Sequence, residues 1–386
     1  MKKDKVDSIE KRKRRKTQKS LLRLLILMLI AAFCVFLYMN RENWISGVEN
    51  KIESIRQNDG VLAEGNFPLQ VADDSDYQLQ VLDDKLALLS NSYLYLYSVQ
   101  GENSDTRQIT YTRPVIKTKG DYALCFEHGG TNFRVDRTDG LVYEKDADDL
   151  IITGAVSSSG YTALVTESNT YSCSIYIYDN NGKKVYTRNC VERVNELSFD
   201  NDSKGCIFVQ LNSEKGEVSS VLHRIRFEQQ EGIWETPAIS TLCIETSFTE
   251  DGRICVIGDN MCAYYNKKGQ LESMYTYTGT LLSYHVHNGQ AAVLIRSDET
   301  RETNLVLLDG SAEEPVTVAA NQSASYVRVG DGEAYLMSSD NIVSYSFAGN
   351  AVATVSLDNA YERFVKQGDY LFLMSYNKID RVNFDE

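Results

Sequence analysis

Residues 160–188 read GYTALVTESNTYSCSIYIYDNNGKKVYTR, and they combine apolar β-rich runs with short polar turns. The turn at residues 179–183 contains Asn and Gly, which adopt positive φ at little cost. A further apolar run precedes Gly160. Four strands joined by tight turns form one small antiparallel sheet, and the predicted strands are residues 151–156, 161–166, 173–178 and 185–187.

A polar turn with a glycine recurs before an apolar strand along the whole chain, at intervals of 36 to 47 residues. Strand repeats of this period are typical of β-propellers. In the first of eight copies, Asp83-Asp84 stands where the glycine is expected. The sequence therefore predicts an all-β propeller of eight four-stranded blades, or seven if the long copy from Gly205 to Phe248 is irregular. A two-sheet sandwich has equally short strands but no reason to repeat its turn chemistry. The repeated glycines are Gly120, Gly160, Gly205, Gly252, Gly289, Gly332 and Gly368.

The last copy is one strand short. Its predicted strands cover residues 363–366, 370–374 and 379–384, whereas the strand-like run 67–71 precedes the first complete copy. We expect residues 67–71 to supply the outer strand of the last blade, so that the ring closes without a long unpaired edge.

The N-terminal region predicts a membrane anchor. The apolar run from Leu21 to Met39 carries one charge, Arg23, and as a helix it is about 28 Å long, close to the ~30 Å of a hydrocarbon core. Residues 1–20, a predicted disordered tail, hold ten basic and three acidic side chains, so the positive-inside rule places them in the cytoplasm. A cleaved signal peptide or a lipoprotein is the alternative, but the run is long, and Phe33 precedes Cys34 where a lipobox needs a small residue.

The remaining chain divides into a stalk and the propeller. Within residues 40–65, Trp44, Val48, Ile52 and Ile55 fall at helical spacing and predict an amphipathic stalk or linker. This stripe suits packing on the same chain, self-association, or a helix that continues from the membrane. Residues 66–386 are predicted to form the propeller, on the extracytoplasmic side of the cell membrane.

Charge is distributed unevenly along the chain. Residues 1–40 have eleven basic and three acidic side chains, which is a net charge of +8. Because the whole chain carries −14, residues 41–386 carry −22. An acidic propeller repels phosphates, so a nucleic-acid partner is not expected.

The cysteines do not form a recognisable disulfide framework. Seven of them lie beyond the apolar run, an odd number at irregular spacing, and most are flanked by apolar residues. We expect buried free thiols. Cys255 and Cys262 face each other only if residues 257–260 form a two-residue hairpin turn, and a bridge between them stays open on the sequence.

No catalytic, cofactor-binding or metal-binding residue is predicted. His285 and His287 share one face of a strand, but no third ligand has suitable spacing, so we expect them to pack near the channel. The run 200–205 begins like a calcium loop, but Lys204 and Leu211 occupy ligand positions, which favours an ordinary turn.

Several segments resemble a family of uncharacterised single-pass membrane β-propeller proteins of Gram-positive bacteria, classed as a domain of unknown function. The resembling segments are residues 65–69 (GNFPL), 113–117 (RPVIK), 127–134 (EHGGTNFR) and 171–179 (YSCSIYIYD). The resemblance implies a propeller without a known active site, distantly similar to quinoprotein-like and WD40-like propellers, and it transfers no functional residue.

Taken together, the sequence indicates an extracytoplasmic propeller, anchored through Leu21 to Met39, that acts as a non-enzymatic binding or assembly scaffold for a protein or cell-wall partner. The binding surface is expected on one rim, where loops of all blades converge. Two alternatives are an extracytoplasmic ligand sensor that works through a membrane partner, and a hydrolase or lyase that acts on wall glycans.

Overall fold

The computed structural model describes residues 56–58, 65–71, 77–229, 232–311 and 313–384. All regular secondary structure in these ranges is β-strand. None of the described segments forms a helix long and apolar enough to cross a membrane. The predicted cytoplasmic tail, the helix 21–39 and nearly all of the stalk lie outside the described residues. The chain divides into two units, residues 1–56 and 57–386, and the second is the propeller.

Eight antiparallel four-stranded sheets form the blades, which confirms the predicted eight-bladed propeller. In order from first to fourth strand, blade 1 contains Gln78–Leu82, Lys85–Leu89, Tyr93–Tyr97 and Asn103–Gln108; blade 2 contains Pro114–Lys119, Tyr122–Glu127, Asn132–Arg137 and Gly140–Asp146; blade 3 contains Ile151–Val156, Thr162–Thr166, Cys173–Tyr178 and Lys184–Cys190; blade 4 contains Arg193–Phe199, Gly205–Glu214, Glu217–Arg226 and Trp234–Glu235.

The second half of the ring repeats this arrangement. Blade 5 contains Cys243–Phe248, Ile254–Gly258, Met261–Tyr265 and Leu271–Thr276; blade 6 contains Gly279–His287, Gln290–Ser297, Thr303–Leu308 and Val316–Ala320; blade 7 contains Tyr326–Gly330, Glu333–Met337, Asn341–Ser346 and Ala351–Ser356; blade 8 contains Arg363–Gln367, Tyr370–Met374 and Lys378–Asn383, completed by Leu69–Gln70.

The first strands of the blades line a central channel. Each of them contacts the first strands of the two neighbouring blades, and blade 8 contacts blade 1, so the ring is closed. The second and third strands carry buried residues on both faces, for example all of Thr162–Thr166. Each blade is thus packed between two others, as expected for a propeller and not for a sandwich with wet outer faces.

The ring closes through the predicted N-terminal strand. Leu69 pairs with Ile379 and Gln70 pairs with Lys378, which supplies the outer strand of blade 8. The ring of Phe67 lies 5.5 Å from that of Phe372, and the Arg381 guanidinium lies 5.2 Å from the Phe67 ring centroid. The short strand Arg56–Asn58 is a fifth strand beside Ala351–Ser356.

The recurring turns connect first and second strands, as predicted. Asn288 and Gly289 both have positive φ, at 48° and 77°, and so do Asp331 and Gly332, at 51° and 77°. Such pairs suit type I′ hairpin turns. Asp83 replaces a turn glycine at φ 55° because aspartate tolerates the left-handed region better than most residues.

Blade 4 is regular in spite of its long repeat. Its second and third strands have ten residues each and project beyond the neighbouring blades as a hairpin. The extra length therefore extends one hairpin and removes no blade, which settles the choice between seven and eight.

Because the strands of a blade run antiparallel, the turns after first and third strands lie on one rim, and the remaining loops lie on the other. We call these the glycine-turn rim and the opposite rim. The connectors from one blade to the next, such as residues 147–150 and 191–192, also lie on the opposite rim.

Candidate functional site

The central channel brings together acidic and basic side chains from three blades. Lys117 and Lys119 come from blade 2, Glu196 from blade 4 and Glu245 from blade 5. The positive charges of Lys117 and Lys119 lower the pKa of Glu245. Blades 3 and 4 lie between the first strand of blade 2, which carries the lysines, and that of blade 5, which carries Glu245. These side chains therefore face one another across the channel.

Burial raises the pKa of both channel carboxyl groups. Burial raises the pKa of Glu196 to about 8; Lys117 opposes this shift and the charge of Glu245 adds to it. Burial also raises the pKa of Glu245, against the lowering effects of Lys117, Arg328 and Lys119. Two acidic groups in one enclosed space thus disfavour simultaneous ionisation.

The predicted histidine pair lies on the first strand of blade 6, beside the channel. The backbone N–H of Val329 donates a hydrogen bond to Nδ1 of His285 at 3.0 Å, which ties blade 6 to blade 7. Burial lowers the pKa of His285 well below its ordinary value, and the positive charge of Arg328 and then that of His287 lower it further. His285 therefore packs near the channel, as the sequence predicted.

No group of three or more His, Cys, Asp or Glu side chains within the described ranges is arranged to hold a metal ion. The calcium-like run 200–205 is filled by its own chain. Asp200 Oδ1 accepts the N–H of Gly205 at 3.1 Å, and Arg226 Nη1 donates to Asp200 Oδ2 at 3.0 Å. Burial opposes charge on Asp202, but hydrogen bonds from Asp200 and Arg226 lower its pKa to about 2.

The cysteine turn differs from the arrangement considered from the sequence. The hairpin turn is Asp259-Asn260, one residue later than assumed, so Cys262 pairs with Ile257 and Cys255 pairs with Tyr264. Cys255 and Cys262 are diagonal neighbours with free thiols. The expectation of buried free thiols is confirmed for all seven cysteines of the described residues.

Exposed apolar side chains lie near both rims. Of the eleven large exposed hydrophobic residues in the described ranges, Met274 lies within an outer strand, and four lie in or next to turns between third and fourth strands, on the glycine-turn rim, namely Leu141, Val185, Ile233 and Leu271. The other six lie on or next to loops of the opposite rim, namely Tyr93, Leu150, Tyr171, Val191, Val218 and Tyr376. Within the described part of the chain, none lies in a turn between first and second strands.

Three of these residues form one surface at blade 3, which we call the blade 3 patch: Leu150, Tyr171 and Val191. The carbonyl of Leu150 accepts the N–H of Glu167 at 2.8 Å, which holds the entering connector against the loop 167–172. The Ser172 hydroxyl donates to the carbonyl of Val191 at 2.6 Å, which holds the leaving connector against the same loop. Val191 is the most exposed of the three, at 72%.

One of the segments that carried the family resemblance, residues 127–134, lies at a blade junction. The Glu127 carboxylate accepts the N–H of Thr112 at 3.0 Å and the Asn132 amide at 2.7 Å. His128 Nδ1 lies 2.9 Å from the carbonyl oxygen of Ile152 in blade 3. Their roles are structural, because they fix the entry to blade 2 and its contact with blade 3.

This chain matches a family profile over residues 63–384, the whole of the propeller described above. The chain belongs to DUF5711, a family of unknown function. The family assignment confirms the domain-of-unknown-function class expected from the sequence. A search of curated proteins found no match to this DUF5711 chain.

Solved structures show which folds the DUF5711 propeller is similar to. Sqt1 from Saccharomyces cerevisiae is 10% identical, with a TM-score of 0.63 over 84% of this chain and 100% of its own. BamB from Moraxella catarrhalis is 11% identical, with a TM-score of 0.55 over 84% and 100%. The quinohemoprotein alcohol dehydrogenase ADHIIG from Pseudomonas putida HK5 is 8% identical, with a TM-score of 0.56 over 84% and 76%. These identities establish a shared fold, with similarity to WD40-like and quinoprotein-like propellers.

Sequence reasoning missed both the channel carboxyl groups and the blade 3 patch. Glu196 and Glu245 belong to different blades, and no motif of either repeat marks them. Tyr171 and Val191 come from separate loops of one blade. The weak signal available was an apolar residue inside a polar loop, as in the run 168–172.

Proposed function

We propose that this protein is a membrane-anchored, non-enzymatic binding or assembly module whose propeller lies on the extracytoplasmic side. The apolar run from Leu21 to Met39 and the ten basic side chains before it support the anchor and its orientation. The binding surface is the blade 3 patch, and the observation that carries the proposal is that three exposed apolar residues lie on loops of one blade that are hydrogen-bonded to one another.

The charges around the patch indicate the chemistry of the partner. Glu167 and Glu192 are exposed on the same loops and connectors, and Arg193 is an exposed basic neighbour. Asp148 is also exposed, but it forms a salt bridge with Lys184 at 2.6 Å. An acidic surface with a central tyrosine and two aliphatic side chains complements a protein segment that presents apolar residues flanked by Lys or Arg. We therefore assign a protein partner with a basic and apolar docking segment, in preference to a neutral glycan.

Site-specific photo-cross-linking in intact cells tests this assignment. A photoreactive residue is placed at Tyr171 or Val191 in the full-length protein, and at Asp84, which is exposed on the glycine-turn rim, as the matched control. We expect one partner to be cross-linked from both patch positions and not from position 84. Cross-linking of the same proteins from both rims, or of no reproducible protein, would contradict the proposal.

Membrane orientation is tested separately. Protease added to intact cells, after removal of the wall, should degrade the propeller, and the same protease should reach the N-terminal tail only after the membrane is permeabilised. Protection of the propeller in intact cells would refute the extracytoplasmic location but would leave the docking surface itself untouched.

The channel carboxyl groups favour one second candidate, a hydrolase or lyase of wall glycans. Glycosidases use two carboxyl groups, one of which stays protonated near neutral pH, and Glu196 and Glu245 share an enclosed channel in which burial raises both pKa values. Release of soluble glycan from purified cell wall by the wild-type protein, and its loss in Glu196→Gln, would favour this candidate. Equal release by both proteins would exclude a catalytic role for Glu196.

A further inference from the structure

Two cysteines that the sequence did not pair lie directly opposite each other in blade 3. Cys173 begins the third strand, Cys190 ends the fourth, and the antiparallel register pairs the two residues. Opposed residues of antiparallel strands have Cα atoms about 4.5–5.5 Å apart. Disulfides span Cα distances of about 4.4–6.8 Å, so the backbone already provides the separation that a bridge requires.

The surroundings of Cys173 distinguish this thiol from the others. The Cys190 side chain hydrogen-bonds to the Cys173 sulfur, and this bond lowers the pKa of Cys173, against burial and with help from the Val194 N–H. The same bond, together with burial, raises the pKa of Cys190, so Cys173 is the thiol that ionises first. The Val194 N–H lies 3.3 Å from Cys173 Sγ. Burial instead raises the pKa of Cys125, Cys206 and Cys243. Because the thiolate is the nucleophile in disulfide exchange, Cys173 is the most reactive of these thiols once it is reached.

The position of the pair also provides a route for a small reagent. Both side chains are buried, but Cys190 is the last residue of an outermost strand and is followed by the exposed Val191. Ends of outer strands open more readily than central strands. Tyr171 precedes Cys173 by two residues, so the pair lies at the base of the blade 3 patch.

We propose that Cys173 and Cys190 form a modification site, at which an oxidant of the disulfide class joins them into a cross-strand disulfide. The Cys173 thiolate attacks the disulfide RSSR, forms a mixed disulfide and releases one RS⁻. Cys190 then gives up its proton to the released RS⁻, attacks Cys173 Sγ, closes the bridge and releases the second RS⁻, which is protonated from solvent. The two cysteines lose two electrons and two protons, and RSSR is reduced to two RSH.

Mass spectrometry of the folded full-length protein in detergent tests this site, with oxidised glutathione as the oxidant. The chain is unfolded in denaturant that contains an excess of alkylating reagent, so that free thiols are blocked as they become exposed, and it is then digested with trypsin. Cys173 lies in the peptide 146–183 and Cys190 is the only cysteine of the peptide 189–193. Cys255 and Cys262 share the peptide 254–267, so a bridge between them is internal and is not confused with the first.

We expect the peptides 146–183 and 189–193 to become linked before any other cysteine-containing peptide reacts. The link should be absent in Cys190→Ser and retained in the control Cys262→Ser. If one variant does not fold, the order in which the peptides of the wild-type protein become linked still tests the proposal. Recovery of both peptides with unlinked cysteines, or linkage spread over all seven cysteines of the propeller, would overturn the proposal.

Discussion

The backbone N–H of Val329 donates to Nδ1 of His285 at 3.0 Å, so a bond between blades 6 and 7 depends on an unprotonated imidazole nitrogen. The folded-state pKa of His285 lies well below its ordinary value, first because of burial. In the unfolded chain the ring takes up a proton near pH ~6.5. The unfolded state therefore binds more protons below that pH, and stability falls as the pH drops.

A His285→Asn variant tests this linkage, because the amide oxygen of Asn accepts a hydrogen bond but does not titrate. We expect the unfolding free energy of the variant to fall less steeply between about pH 7 and pH 5 than that of the wild type, by up to ~1.4 kcal/mol per pH unit. Its Tm should therefore also fall less over this range. His128→Asn, at an exposed histidine, is the control and should retain the wild-type acid sensitivity. An unchanged acid dependence in His285→Asn would contradict this role.

Glu196 has the opposite pH dependence. Its folded pKa is raised from about 4.5 to about 8, so the folded state keeps a proton that the unfolded state has lost, and stability falls as the pH rises between these values. Glu196→Gln removes this titration and should be more stable than the wild type at pH ~8, by about 1–2 kcal/mol. The gain should vanish near pH ~4.5. Glu102→Gln, at an exposed glutamate, should show no such gain in chemical denaturation.

The fold could be predicted because its signals are local. Each blade repeats the same turn between the first two strands, and the strand at Leu69 occupies the place left by the short last copy. The channel and the patch could not be predicted, since each requires the relative placement of strands or loops that are distant in sequence.

Register decides the cysteine pairs. Cys255 and Cys262 would be opposed only with the hairpin turn one residue earlier than the observed turn Asp259-Asn260. The fourth strand of blade 3 extends beyond the predicted residues 185–187 to Cys190, and an irregularity between Ile177 and Tyr178 shifts the pairing so that Cys190 opposes Cys173. Such a shift is decided by backbone geometry at the hairpin, which residue types only loosely specify.

Two turn glycines with the same φ have different surroundings. Gly289 and Gly332 both have φ +77°, but a Cβ at Gly289 would lie 2.7–2.8 Å from the Thr249 backbone, whereas one at Gly332 meets nothing within 4 Å. Alanine at either position should lower the unfolding free energy by about 1–2 kcal/mol, because a residue with a Cβ is strained in the left-handed conformation. Gly289→Ala should lower it by about a further 1–3 kcal/mol, because the new methyl group crowds the backbone of blade 5. Equal losses in urea unfolding would show that the contact between these blades is not tight.

Closure of the ring by Leu69 can be tested against its neighbour on the same strand. The Leu69 side chain is buried among residues of blade 8, whereas that of Gln70 is exposed. Leu69→Ala should lower the unfolding free energy by about 2–3 kcal/mol and increase proteolysis, while Gln70→Ala should change it by less than about 0.5 kcal/mol. If both variants match the wild type, the N-terminal strand does not hold the ring closed.

The most direct test of docking is the affinity of the partner identified by cross-linking for the full-length protein in detergent. Val191→Asp places a charge at the most exposed residue of the blade 3 patch, and Asp84→Ala alters the other rim. We predict that Val191→Asp raises the Kd at least about tenfold, equivalent to ~1.4 kcal/mol, with Asp84→Ala unchanged. The same Kd for Val191→Asp and the wild type would contradict the assignment of the blade 3 patch as the binding surface.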